Sequence, residues 1–133
     1  MNAGRGSIIC LSSTAGIHGF GRRTPYASVK WGVIGLVKSL AIELAPHGVR
    51  VNAVCPGPVD GPRIQRVFAA EAAARGVDPA TVQAQLVSGQ SIRRLIQPEE
   101  IAEVCSFLAS SGAAMINGQA IVVDGNTETY HIS

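Results

Sequence analysis

Hydrophobic positions fall into two rhythms along this chain: short, mainly apolar segments, and longer stretches with helical spacing. Residues 7–11 are a short apolar run held between glycine and serine, the pattern of a buried strand. Residues 49–54 read as a second buried strand, ended by Pro56-Gly57, and residues 119–124 as a last strand, closed by Asp124-Gly125. Residues 16–23 read as a loop, with glycine at 16, 19 and 21. A helix is expected over 26–45, with Val29, Val33, Leu36, Val37, Leu40 and Leu44 as its apolar stripe. Thr24 suits its N-cap, Pro25 its first turn, and Pro46 and Gly48 stop it. After the second run the rhythm changes. Residues 62–75 are alanine-rich and end at Gly76, and Asp78-Pro79 opens a short helix to Ser88. Residues 98–110 carry Ile101, Val104, Cys105 and Leu108 at helical spacing.

The order strand, helix, strand, helices, strand predicts right-handed crossovers between parallel strands. The expected fold class is therefore α/β: half of a doubly wound parallel sheet, about three strands with flanking helices, in one domain over residues 1–133. Composition fits, with 47% hydrophobic and only 15% charged residues, as in elements buried on both faces. No internal repeat, low-complexity tract or linker interrupts it.

Net charge is +2, and the densest basic pairs, Arg22-Arg23 and Arg93-Arg94, are too short to predict a nucleic-acid partner. No apolar run approaches the roughly 20 residues that span a bilayer, and Met1-Asn2-Ala3-Gly4-Arg5 has no signal-peptide core, so no membrane partner is expected. Cys10, Cys55 and Cys105 have no metal-ligand spacing and lie in apolar segments, which reads as reduced thiols in a cytoplasmic protein. His18, His47 and His131 fall in expected loops or the tail, far apart in sequence. No metal site is predicted.

Tyr26 and Lys30 carry the most chemistry. Four residues apart, they leave the same helix face about one turn from each other. An ammonium fixed near a phenol favours the phenolate form and makes the phenol a better proton donor near neutral pH. Either residue alone is more simply an exposed tyrosine or a solvated lysine. Ser13, at the end of the first apolar run, stands thirteen residues before Tyr26 and adds a hydroxyl where doubly wound sheets bind ligands.

Five stretches then give a resemblance. They are Gly6-Ser7-Ile8-Ile9-Cys10-Leu11-Ser12-Ser13-Thr14-Ala15-Gly16, Tyr26-Ala27-Ser28-Val29-Lys30, Val49-Arg50-Val51-Asn52-Ala53-Val54-Cys55-Pro56-Gly57, Gln97-Pro98-Glu99-Glu100-Ile101-Ala102 and Gly118-Gln119-Ala120-Ile121-Val122-Val123-Asp124-Gly125. In order and spacing they resemble the C-terminal half of the short-chain dehydrogenase/reductase (SDR) family, with its Rossmann-like fold. The family's glycine-rich cofactor loop and its Asn-Ala-Gly segment have no counterpart here. The expectation is that these residues are half of a longer reductase or a shortened reading frame, with Met1-Asn2-Ala3-Gly4 as the tail of a helix.

The resemblance implies an NAD(P)-dependent oxidoreductase interconverting a secondary alcohol and a ketone, with a small-molecule alcohol or carbonyl as substrate. It implies Tyr26 as the acid/base, Lys30 beside it and on the nicotinamide ribose, and Ser13 as donor to the substrate oxygen. Ser12 competes with Ser13, and the spacing to Tyr26 selects Ser13. Pro56 and Gly57 are expected to let the backbone pass close to the nicotinamide, an ordinary turn being the plainer reading, and Val59 to offer backbone groups to its carboxamide. Gly61 stands where the family often has a threonine, and Asn52 matches an asparagine of structural or catalytic role. Cofactor preference between NAD and NADP stays open. Residues 61–96 correspond to a substrate-covering lid, with Phe68, Val87 and Ile92 as candidate wall residues. The family commonly forms homo-oligomers through helices equivalent to 29–44 and 98–110. Two alternatives remain: a truncated, inactive remnant acting as an oligomerisation or interaction module, and a sugar-nucleotide epimerase, which shares the Tyr-x-x-x-Lys chemistry. A serine hydrolase is disfavoured because no Gly-x-Ser-x-Gly turn surrounds Ser13.

Overall fold

The computed structural model describes residues 5–128. The expected helix tail at Met1-Asn2-Ala3-Gly4 and the tail histidine His131 lie outside them. Three strands, β1 (Gly6–Leu11), β2 (Val49–Pro56) and β3 (Ala120–Val123), form one parallel sheet in the order β1-β2-β3. Gly6 pairs with Val49 through to Leu11 with Val54, and Ala53 pairs with Ala120 through to Pro56 with Val123. Four α-helices lie among the described residues: α1 (Thr24–Leu44), α2 (Pro62–Arg75), α3 (Pro79–Val87) and α4 (Pro98–Ala109).

β2 is central, and Val51 through Cys55 are all buried. Successive strand side chains point to opposite faces. Val51, Ala53 and Cys55 accordingly pack on Ile34, Val37 and Ala41 of α1, whereas Val54 packs on Ile101 and Leu108 of α4. With α1 and α4 on opposite faces and the strands stepping in one direction, the two crossovers have opposite hands. The expectation that both are right-handed therefore holds for one of them at most. That rule comes from compact strand–helix–strand units. The connection from β2 to β3 is instead a long one, containing α2, α3 and α4.

The stripe expected on α1 is only partly the buried one. Val37 is buried and Val33, Leu40 and Leu44 half-buried, but Val29 is 65% and Leu36 53% exposed, and Ile34 and Ala41 take the core positions. Thr24 is the first helical residue rather than the cap. Arg23 occupies the cap without a side-chain bond, and the Thr24 carbonyl accepts from Ser28 Oγ at 2.8 Å. α4 carries the expected stripe, with Ile101 and Leu108 buried and Val104 and Cys105 packed beside them. None of the described helices is long and apolar enough to cross a membrane.

Two asparagines lock the approach to β3 onto β2. Asn52, fully buried, donates to Ile116 O at 2.9 Å and accepts from Gln119 N at 3.0 Å. Asn117 accepts from Val51 N at 2.8 Å and donates to Ala41 O at 3.0 Å, joining the same loop to α1. Of the two roles open to Asn52, its bonds are those of a structural residue.

The start of α4 is held by a charge-assisted clamp. Arg94 donates to both Glu100 oxygens, at 2.8 and 2.6 Å, and Gln97 N–H adds a bond at 2.8 Å. Arg94 above all, then the Gln97 amide, hold the Glu100 carboxyl down at about 2. An unfolded glutamate titrates near ~4.3. Because the folded value lies below the unfolded one, the clamp's contribution is complete above pH ~4.3 and is lost as pH falls through about 2. Both side chains are exposed, so the contribution is screened. Arg94→Gln is expected to move the Glu100 carboxyl NMR titration up toward the ordinary range. An unmoved midpoint would remove Arg94 from this role.

Candidate active site

The end of β1 sends its two serines in different directions. Ser12 N donates to Val54 O at 2.8 Å, carrying the ladder one residue past the strand. Its side chain is buried and its Oγ donates to the Lys30 backbone carbonyl at 2.9 Å. Ser13 is extended (φ −166°, ψ 164°) and caps a 3₁₀ turn, Thr14–Gly16, by accepting from Ala15 N at 3.1 Å. That bond uses a lone pair of the Ser13 hydroxyl and leaves its proton without an acceptor among the described residues.

Tyr26 and Lys30 lie one turn apart on α1, as their spacing predicts. Lys30 Nζ is 5.7 Å from the Tyr26 ring centroid and donates to Leu11 O, at the end of β1, at 3.3 Å. The ammonium thus bridges the helix that carries the phenol and the strand end that leads into Ser13. Tyr26 is 39% exposed. Trp31 Nε1 donates to His18 O at 3.4 Å and ties the intervening loop to the same helix.

At the exit of β2, Gly57 N donates to Val123 O at 2.9 Å. A Cβ on Gly57 would lie 2.8 Å from Asp124 Cβ and 3.2 Å from Ile96 Cδ1. Packing against Asp124 by itself calls for glycine here. Val59 bridges Ile96 in parallel, through Ile96 N to Pro58 O at 3.0 Å and Asp60 N to Ile96 O at 2.8 Å. Alternate residues of an extended segment present their peptide groups to opposite sides, so those of Val59 turn away from Ile96. They have no partner among the described residues, which fits them to hold a carboxamide. Asp60 accepts from Gln65 Nε2 and Gly61 N, each at 2.8 Å, and the Gln65 amide foremost holds its carboxyl below the usual range.

Two expected wall residues face elsewhere. Phe68 and Val87 are buried together with Ala72, Val82 and Leu95 where α2 packs on α3, and Ile92 is exposed. An α-helical hairpin this small needs its apolar side chains for its own core. Two residues beside the site take roles that sequence reasoning did not assign. Cys55 lies under the two serines, and burial above all pushes its thiol up, with the Ser12 side chain and the Ser13 backbone acting against that rise. Gly16 fits against Lys30 O. The described residues contain no cluster of three His, Cys, Asp or Glu that could hold a metal.

The family model described as enoyl-(acyl carrier protein) reductase matches residues 1–126. The chain belongs to the short-chain dehydrogenase/reductase family. It is 39% identical over 123 residues to cis-4-hydroxycyclohexanecarboxylate dehydrogenase of Sinomonas cyclohexanicum, covering 92% of this chain and 45% of that one. Among solved structures, a variant of actinorhodin polyketide ketoreductase with NADPH superposes with a TM-score of 0.85 at 36% identity, over 96% of this chain and 49% of that chain. A 3-oxoacyl-(acyl-carrier protein) reductase with bound NAD from Brucella melitensis gives a TM-score of 0.76 at 32% identity, over 96% and 42%. This SDR chain spans about half the length of the curated relatives it matches.

Proposed function

We propose that the chain carries the catalytic half of an NAD- or NADP-dependent oxidoreductase interconverting a secondary alcohol and a ketone. The observation that carries this reading is the Lys30 ammonium, 5.7 Å from the Tyr26 ring centroid and 3.3 Å from Leu11 O, two residues before Ser13. Reduction of a ketone builds negative charge on the carbonyl oxygen. Tyr26 gives that oxygen its phenolic proton, and the free proton of Ser13 donates a hydrogen bond to the same atom as charge develops. Lys30 then stabilises the phenolate with its ammonium. In oxidation the proton returns by the same route.

A bound nicotinamide cofactor would supply or accept the hydride. Tyr26 and Lys30 would stand beside its ribose, and Pro56, Gly57 and Val59 would line its nicotinamide end, Val59 through its unpaired peptide groups. The named relatives with NADPH and with NAD support this cofactor class and leave the preference open. Residues 61–96 act as a lid over a small alcohol or carbonyl, moving as the self-packed α2–α3 hairpin. Val29 and Leu36 on the exposed face of α1, with Gly32 open to close approach, suit packing against a second copy.

Titrating the purified chain with NADH and NADPH while following nicotinamide fluorescence tests the reading. Saturable binding is the expected result, and none at millimolar cofactor would remove independent catalysis. A second reading, a non-catalytic pairing module, draws support from β1, a sheet edge with Ile8 39% and Leu11 55% exposed. It is selected by absent cofactor binding together with self-association in sedimentation.

A further inference from the structure

We infer that Ser12 is a positioning residue: its buried hydroxyl latches α1, which carries Tyr26 and Lys30, onto the strand end that carries Ser13. The inference rests on the oxidoreductase reading for what is positioned, but the latch itself rests on contacts alone. Ser12 holds both sides at once. Its backbone N–H is fixed to Val54 O at 2.8 Å, and its Oγ donates to the carbonyl of Lys30, the residue whose ammonium faces Tyr26, at 2.9 Å.

Two neighbours fit the latch closely. A Cβ on Gly16 would lie 2.3 Å from Ser12 Oγ and 2.8 Å from Lys30 O, so only glycine leaves the hydroxyl and the helix in contact. Beneath them Cys55 is fully buried on the α1 side of β2, where burial pushes its thiol up and the neighbouring Ser12 side chain and Ser13 backbone act against that rise. The latch runs from Val54 O through Ser12 to the Lys30 peptide. A mainly apolar contact could slide here, whereas directional bonds fix the offset between phenol, ammonium and hydroxyl.

Opening of the latch exposes Cys55, which gives a readout independent of catalysis. In a Cys10→Ala/Cys105→Ala background Cys55 is the single thiol. Its labelling by a chromogenic aryl disulfide is compared with the urea unfolding equilibrium of the same variant. Ser12→Ala is expected to accelerate labelling about tenfold beyond the factor that its loss of global stability explains, the mark of local opening. Ile101→Val, on the α4 face of the sheet, is expected to change labelling only as far as global stability does. Gly16→Ala, which presses on the latch without removing the hydroxyl, is expected to behave as Ser12→Ala does. Labelling that tracks global stability in both Ser12→Ala and Gly16→Ala would overturn the latch. With turnover measured on a ketone and NADPH, Ser12→Ala lowers kcat and leaves the cofactor KM unchanged; the reverse split would overturn the positioning role. A chain that binds no cofactor removes independent catalysis alone, and the labelling comparison still decides the latch.

Discussion

Tyr26→Phe is expected to cut ketone reduction by roughly two to four orders of magnitude, the range a positioned acid/base contributes. The substitution removes one oxygen and keeps the ring. The contact between that ring and the Lys30 ammonium, 5.7 Å from its centroid, therefore survives, and a partly exposed position tolerates the change without loss of fold. Affinity for reduced cofactor, followed by nicotinamide fluorescence, should stay near its starting value, because the phenol acts on the substrate oxygen in the transition state. A fall in kcat at constant cofactor affinity is the signature of a group used only there. Wild-type turnover by Tyr26→Phe would take the proton-transfer role away from Tyr26.

The largest stability loss is expected from Asn52→Leu. The two side chains are close in size, so the site stays filled, but Ile116 O and Gln119 N lose partners now at 2.9 and 3.0 Å. A buried peptide group left unpaired costs about 1–3 kcal/mol, so two of them at a partly wetted edge should cost about 2–4 kcal/mol in all. Domains of this kind are stable by only about 5–15 kcal/mol, which makes that loss visible at once in a urea melt. The midpoint should fall with the slope unchanged. A loss below about 1 kcal/mol would mean that water or another residue satisfies both groups, and that the lock between β2 and the β3 approach is not made by Asn52.

Much of the fold and of the site was legible in the chain, for reasons that are local. Short, mainly apolar segments bounded by turn residues read as strands, so β1, β2 and β3 stood out before any contact was known. Tyr26 and Lys30 share one helix, and 3.6 residues per turn bring a pair at i and i+4 together whatever the rest of the chain does. The stripe of α4 was equally visible, since it rests on neighbours within one element.

What sequence alone could not decide depends on partners distant in the chain. Ser12 and Ser13 are adjacent and chemically identical. The spacing to Tyr26 selected Ser13, but only the position of α1, eighteen residues on at Lys30, shows that the Ser12 hydroxyl meets the helix backbone. Val29 and Leu36 read as core until the sheet's width leaves them on the outer face of α1. Gly57 read as a turn or a close approach to a ligand, and only the structure shows Asp124, just past β3, packed against it. The opposite hands of the two crossovers follow from where α4 lands, across the face that α1 leaves open. The sequence by itself determined the strands, the helices and the pairing of phenol with ammonium, because these are set by spacing along one backbone. The tertiary structure decided orientation, burial and the fit around Ser12, because those energies arise only when residues far apart in sequence compete for the same space.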